Sequence, residues 1–384
     1  MANSSRRGFT LLELAIVTLI VGLLGSLLIP AIQRAKEKSR QSRCAFNLRR
    51  IIKGVNKYEH SQGTYPPGRL FPDWADTSGN VTSGYTNYGA VAPTDKTGFY
   101  SVHIWILPYV KAGHIFDLID FDIAQVKRME NPFNTNYEAY TQPTPLYLCP
   151  SDSNTGRGIT ENNYRCNFGG DTPGAGQRSI SNISRDPRPT DVWHMGGNGA
   201  FTMGETGLKP KDFEDGLSNT VFFSERTKGD GQSFTKVPIN TDMIRCTGGG
   251  FDPGVSFEPL FQAADSYVPQ LSNFVFTAAG RWPEESDFSN GWPFAGYDAT
   301  QYNHVAPPNW EGIDCGTNFI PDTPGEHAFV AARSEHPRLV NAAFGDGHVK
   351  AIKDDIDLTV WRALGTRNGG ETISANKRRR RNHW

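Results

Sequence analysis

Two hydrophobic patterns follow one another at the start of this chain. From Phe9 to Ile32, 24 residues run apolar with Glu13 as the single charge. A helix needs roughly 20 apolar residues to cross a bilayer, so the run predicts a membrane span over about 9–32. Pro30 lies inside the pattern and predicts a kink, not an end. After "QRAKEKSRQSR", a segment of helix formers, Cys44, Leu48, Ile51, Ile52 and Val55 recur at i, i+4, i+7, i+8 and i+11. That spacing lines one face of a helix and suits packing on a globular body. Pro66 in "YPPG" disfavours helix at Tyr65, so the helix is expected over 9–61, about 80 Å long.

Beyond it the pattern breaks up. Pro72 to Thr97 is polar and reads as a long loop or weak hairpin. "FYSVHIWILPYV" is apolar and leads into a short helix near Gly113 to Ile119. "PLYLCPSD" predicts a short strand and a turn, and the Gly-, Ser-, Asn- and Arg-rich stretch from Asn154 to Asp191 predicts irregular loops. "DGLSNTVFFSERT" predicts a turn into a buried strand, Thr220 to Ser224. Residues 228–325 read as short strands and loops. "RLVNAAFGDGHVKAI" predicts two strands about a two-residue Asp346-Gly347 turn with both residues at positive φ. "IDLTVWRALGT" follows as a helix, with Asp357 as N-cap and Gly365 as its stop.

Composition agrees with a loop-rich body. Among 384 residues there are 40 Gly and 25 Pro, and hydrophobic residues make up 37%. The net charge of −1 argues against a general nucleic-acid binder. The basic run "KRRRR", Lys377 to Arg381, reads first as a solvated tail; contact with anionic lipid, nucleic acid or an acidic polymer is the sharper reading. The five cysteines, Cys44, Cys149, Cys166, Cys246 and Cys315, form no C-x-x-C pair. In an exported body they allow up to two disulfides, with the pairing open.

Glu13 needs an explanation, because a carboxylate in a bilayer costs about 2.5–3.5 kcal/mol on insertion scales. A secretory signal peptide fits poorly, since the run is long and no clean small-x-small cleavage site follows. A plain anchor leaves Glu13 idle. "RRGFTLLEL" resembles the class III prepilin signal of type IV pilins and type II secretion pseudopilins, with Arg6, Arg7, Gly8, Phe9, Thr10, Leu11 and Glu13 in place. The resemblance implies cleavage between Gly8 and Phe9 by a prepilin peptidase, methylation of the new Phe9 amine, and pairing of Glu13 with the Phe9 amine of a neighbouring pilin-like subunit. One count points the other way. Only Arg6 and Arg7 precede the span, while Arg34, Lys36, Lys38, Arg40 and Arg43 follow it, which by the positive-inside rule would leave the body in the cytoplasm. The leader motif, read by a cytoplasmic peptidase, overrides that count.

A second resemblance covers most of the chain. His336 stands nine residues before Asp346-Gly347, and "ALGTRNGGE" follows at Ala363 to Glu371. With "CAFNL" from Cys44, "YPPG" from Tyr65, Trp105 to Tyr109, Cys149 to Asp152 and Asp215 to Thr220, this is similar to the bacterial family of domain of unknown function 1559 (H-x9-DG proteins). "CAFNL" departs from that pattern, with Phe46 where Asn is common. The resemblance implies architecture and little chemistry.

The candidate chemistry is sparse. His336 and Asp346 are suitable types for metal ligands or an acid–base pair, with Glu335 nearby; the plainer reading gives Asp346 to the hairpin turn and His336 to local bonding. Asp354, Asp355 and Asp357 raise calcium, but an EF-hand loop is missing and a solvated helix start explains them. Glu225 and Asp215 read as a structural pair or as turn groups. "GGGFDPG", Gly248 to Gly254, lacks the Lys-Ser/Thr of a phosphate loop, and no G-x-S-x-G or H-E-x-x-H is present. No cofactor is expected.

Together these readings give an α+β protein: a leader over 1–8, a pilin-like helix over 9–61, a loop-rich extracytoplasmic head with antiparallel β-sheet over 62–372, and a basic tail over 373–384. The expected role is a non-enzymatic structural subunit of an envelope assembly, single-pass in the inner membrane, with its head in the periplasm or at the cell surface. The partners expected are prepilin peptidase, other pilin-like subunits and membrane lipid. The alternatives are an exported solute- or glycan-binding module and, more remotely, a tethered hydrolase using His336 and Asp346.

Overall fold

The computed structural model describes residues 10–70, 100–121, 136–152, 161–169, 194–195, 198–204, 207–228, 243–245, 291–297, 299–312, 314–316 and 328–371. Gly8, Phe9, Cys246, the segment 248–254 and the basic run 377–381 lie outside them, as does the whole stretch from Pro72 to Thr97.

Helix α1 spans Leu11–Gln62 without a break and continues through Pro30. Thr10 caps it. Glu13 N donates to Thr10 Oγ1 at 3.3 Å, and Thr10 N donates to Glu13 Oε2 at 2.9 Å, a reciprocal capping box that satisfies two otherwise orphaned amides. At the other end Gly63 takes φ 77° and returns its N–H to Glu59, a left-handed cap that glycine adopts without strain. The first half of α1, from Leu11 to Ile32, leaves its large apolar side chains exposed, Leu11 at 87%. It is long and apolar enough to cross a membrane. In the second half Cys44, Leu48, Ile51, Ile52 and Val55 are fully buried, as their spacing predicts. Gly54 joins that face because the turn Leu107–Val110 comes too close for a side chain; a Cβ there would lie 2.6 Å from Val110 Cγ1.

The strands are β1 (Tyr164–Asn167), β2 (His194–Met195), β3 (Met203–Gly204), β4 (Val221–Glu225), β5 (Met243–Arg245), β6 (Gln301–Tyr302), β7 (Asp314–Gly316), β8 (Ala328–Phe329), β9 (Leu339–Phe344) and β10 (Val349–Lys353). The main sheet has the order β10-β9-β4-β1-β6, with β2-β3 and β5-β7-β8 as smaller sheets. It is mixed, not purely antiparallel: β1 runs parallel to β6, while the other pairings of this sheet are antiparallel. The buried half of α1 packs on β4, β9 and β10, so the head's core lies between helix and sheet.

Four local expectations change. Pro145–Tyr147 is a 3-10 turn, not a strand, because Pro145 fixes φ at its first position; the turn after it forms, with Asp152 N bonded to Cys149 O. The stretch expected to be irregular loop contains β1, a strand buried along its whole length. The β9–β10 hairpin forms with a longer loop. Phe344 N bonds His348 O and Gly347 N bonds Phe344 O, so Gly345, Asp346 and Gly347 form a type I turn with a bulge. Only Gly347, at φ 98°, takes the left-handed conformation; Asp346 does not. The last helix, Leu358–Ala363, is capped by Asp357. It ends at Leu364, and Gly365 does not take positive φ.

Candidate functional site at the helix–head junction

The chemistry-bearing side chains converge where α1 meets the sheet. Cys44 is bonded to Cys149 across 105 positions, with Cα atoms 5.0 Å apart. Glu37 precedes Cys44 by two helical turns and so shares its face. Its Oε1 meets His336 Nδ1 at 2.7 Å and accepts from Ser151 Oγ at 2.9 Å. The other ring nitrogen, His336 Nε2, lies 3.3 Å from Glu225 Oε1 and 3.7 Å from Cys149 Sγ. Glu225, at the end of β4, is itself held by Asn341 of β9, through the backbone N–H at 2.7 Å and Nδ2 at 2.9 Å. His336 N donates to Ser334 Oγ, which fixes the ring's approach from the β8–β9 connection.

The imidazole thus lies between two carboxylates. Burial disfavours its charged form, but hydrogen bonds and charge from Glu225 and Glu37 outweigh that and raise its pKa above 6.5. Glu335 is raised as well, first by burial and then by the charges of Asp152 and Glu37. A ring held by a carboxylate on each side fixes which head residues α1 meets, and the disulfide beside it makes the junction covalent.

His336 and Asp346 do not act together, and Asp346 serves the hairpin loop, as the plainer reading has it. Asp346 Oδ1 accepts from His348 N at 3.0 Å and meets His348 Nδ1 at 2.6 Å, while His336 turns to Glu37 and Glu225. Glu225 and Asp215 are likewise separate: Asp215 accepts from Gly369 N at 2.7 Å and Gly370 N at 2.9 Å, clamping a turn. Asp357 accepts from Thr359 N, and Asp354 meets Arg338 at 3.3 Å, so these carboxylates serve the local backbone and an ion pair, not a calcium loop. Cys166 is a free, buried thiol on β1, bonded to Thr300 O, and burial pushes its pKa up. Cys315 lies on β7. Glu37 escaped the sequence reading, although its seven-residue offset from Cys44 was a usable signal.

These features define an α+β head carried on a long helix whose apolar first half is left uncovered, the plan of a pilin-like protein. The chain belongs to the family described as protein of unknown function (DUF1559), whose profile matches residues 33–359. It is also similar to the type II secretion system core protein G of Klebsiella michiganensis, 32% identical over 66 residues, 17% of this chain and 46% of that protein. The fimbrial protein EcpC of Eikenella corrodens is 34% identical over 99 residues, 26% of this chain and 62% of that protein. The core protein G of Escherichia coli K12 is 32% identical over 65 residues, 17% and 45% of the two chains. The chain thus spans about half the length of the curated relatives it matches. No solved structure matches.

Proposed function

We propose that this chain is a membrane-anchored, pilin-like structural subunit of an envelope assembly and not an enzyme. One observation carries the reading: α1 is a single helix whose first half is apolar and uncovered and whose second half is built into the head. A rigid rod of that kind transmits position from the bilayer to the head. The similarity to pseudopilins and a fimbrial protein supports it. In this reading prepilin peptidase cuts between Gly8 and Phe9, the Phe9 amine is methylated, and the head lies outside the inner membrane. Glu13, which caps its own helix in the single chain, exchanges Thr10 for the Phe9 amine of a neighbouring subunit on assembly. That exchange compensates both charges in lipid and sets the axial register.

Mass spectrometry of the mature protein from its native envelope tests the processing. The expected amino terminus is N-methyl-Phe9, and Gly8→Val blocks it. A terminus at Met1 or Ala2 in the mature protein overturns the reading. Glu13→Ala is expected to insert normally but to lose crosslinks between subunits.

A further inference from the structure

The cluster at the helix–head junction holds more than a disulfide. Cys44 Sγ, Cys149 Sγ, a carboxylate oxygen of Glu225 and a ring nitrogen of His336 all lie within 4.8 Å of one another, and all four residues are buried. Two of their separations have the lengths of edges of a zinc tetrahedron. With Zn–N and Zn–O of about 2.0–2.1 Å and Zn–S of about 2.3 Å, the N–O edge is about 3.4 Å and the N–S edge about 3.6 Å. His336 Nε2 is 3.3 Å from Glu225 Oε1 and 3.7 Å from Cys149 Sγ. The sulfur–sulfur edge is too short for a zinc site as it stands, because the two atoms are covalently joined.

The surroundings are those that metal ligands need. His336 Nδ1 rests on the Glu37 carboxylate at 2.7 Å, which holds the ring in the tautomer that presents Nε2 to a metal. Glu225 is oriented by two bonds from Asn341. The chain neighbours of the disulfide, Arg43, Leu148 and Pro150, line a surface cavity of about 440 Å³.

We infer that Cys44, Cys149, His336 and Glu225 form a zinc site when the disulfide is reduced, so that a covalent bond and a Zn²⁺ ion are alternative fasteners of α1 to the head. The chemistry balances. A dithiol reduces the Cys44–Cys149 bond and is itself oxidised to a disulfide, leaving two thiols. Zn²⁺ then displaces their two protons, together with the proton on Nε2 wherever the His336 ring is charged, releases them to solvent, and is bound by two thiolates, His336 Nε2 and Glu225 Oε1. Four protein ligands leave no open position, so the site is structural. Thiols stay reduced in the cytosol and oxidise outside it, so the compartment selects the fastener.

The test uses the full chain in detergent with Cys166, Cys246 and Cys315 changed to serine. The chain is reduced with dithiothreitol, desalted without oxygen and titrated with Zn²⁺, and separately with Co²⁺. The expected result is one zinc per reduced chain, none in the oxidised chain, and a cobalt–thiolate charge-transfer band. His336→Gln should weaken binding more than tenfold, and Glu37→Gln, which is no ligand and orients the His336 ring, about tenfold. A folded, reduced chain that retains no zinc overturns the inference, as does an affinity unchanged in both variants. If reduction unfolds the head, recovery of its near-ultraviolet circular dichroism on adding Zn²⁺ supports the site, and no recovery sinks it.

Discussion

Glu37 on the membrane-proximal part of α1 and His336 on the head stand 299 positions apart in the chain, and their side chains meet at 2.7 Å. The contact is local in space and remote in sequence, so it fixes how the rod helix is seated. Hydrogen bonds involving a charged group are worth about 1.5–3 kcal/mol net. Glu37→Ala should therefore lower the stability of the full chain by about 1–3 kcal/mol, and Glu37→Gln by less, since the amide oxygen still accepts. Denaturant unfolding followed by tryptophan fluorescence checks it. An unchanged midpoint for Glu37→Ala would show that the disulfide alone holds the junction.

The hairpin loop separates two neighbours that look equivalent in sequence. Gly347 takes φ 98° and Asp346 does not take positive φ. Gly347→Val should cost about 1–3 kcal/mol, because a β-branched residue is strained there. Asp346→Asn should cost under about 1 kcal/mol, since the amide oxygen can still accept from His348 N. Thermal melts of the two variants decide it, and a larger loss for Asp346→Asn would contradict the loop geometry.

Asp314 is a second buried centre. It meets Arg226 at 3.0 Å and Arg333 at 2.9 Å, with all three side chains almost wholly buried, and accepts from Trp310 Nε1 at 2.8 Å. Burial pushes its pKa up, but the two arginines more than reverse this and hold it below 3.8. Asp314→Asn leaves two buried guanidinium charges short of their counter-charge and should destabilise the head by about 3–5 kcal/mol. Equilibrium unfolding tests this; a loss below about 1 kcal/mol would mean that water enters the site.

Acid should loosen the head well before carboxylates titrate. Burial lowers His103 and His304 from 6.5 to about 3. His103 Nε2 lies against Tyr164 O at 2.8 Å and His304 Nδ1 against Trp361 O at 2.7 Å. Between about 3 and 6.5 the unfolded chain binds more protons, so stability rises with pH, by about 1.4 kcal/mol per unit for each group. Their contribution is complete above 6.5 and is lost as the pH falls. Asp314, whose pKa is lowered, adds a loss only below about 4. His336 acts oppositely: its raised pKa stabilises at low pH, and that stabilisation is lost as the pH rises through its folded value. Melting temperature should fall from pH 7 to pH 4, and His304→Gln should flatten the slope by about one proton. A flat profile over that range would be incompatible with neutral buried histidines.

Much of the architecture was legible because its determinants are local. The burial of Cys44, Leu48, Ile51, Ile52 and Val55 follows from a helical period inside a dozen residues. The hairpin strands and Asp357 as a cap follow from equally short patterns. β1 was not legible. Tyr164, Arg165, Cys166 and Asn167 are all buried, so the strand shows no alternation, and its polar groups find partners far away: Asn167 Nδ2 donates to Val221 O and Gly365 O. A polar residue in a loop and one satisfied in a core read alike in one dimension.

The sequence by itself determined the rod helix, its apolar half, the face that docks and the hairpin that ends the sheet, because neighbouring residues carry those periods and caps. The tertiary structure alone decided that Cys44 takes Cys149 and not another cysteine, that His336 turns to Glu37 and Glu225 and away from Asp346, and that β6 joins the sheet parallel. Each of those depends on which distant segments share one dehydrated space, where a charge or a backbone group must be compensated by whatever the fold brings within about 3 Å.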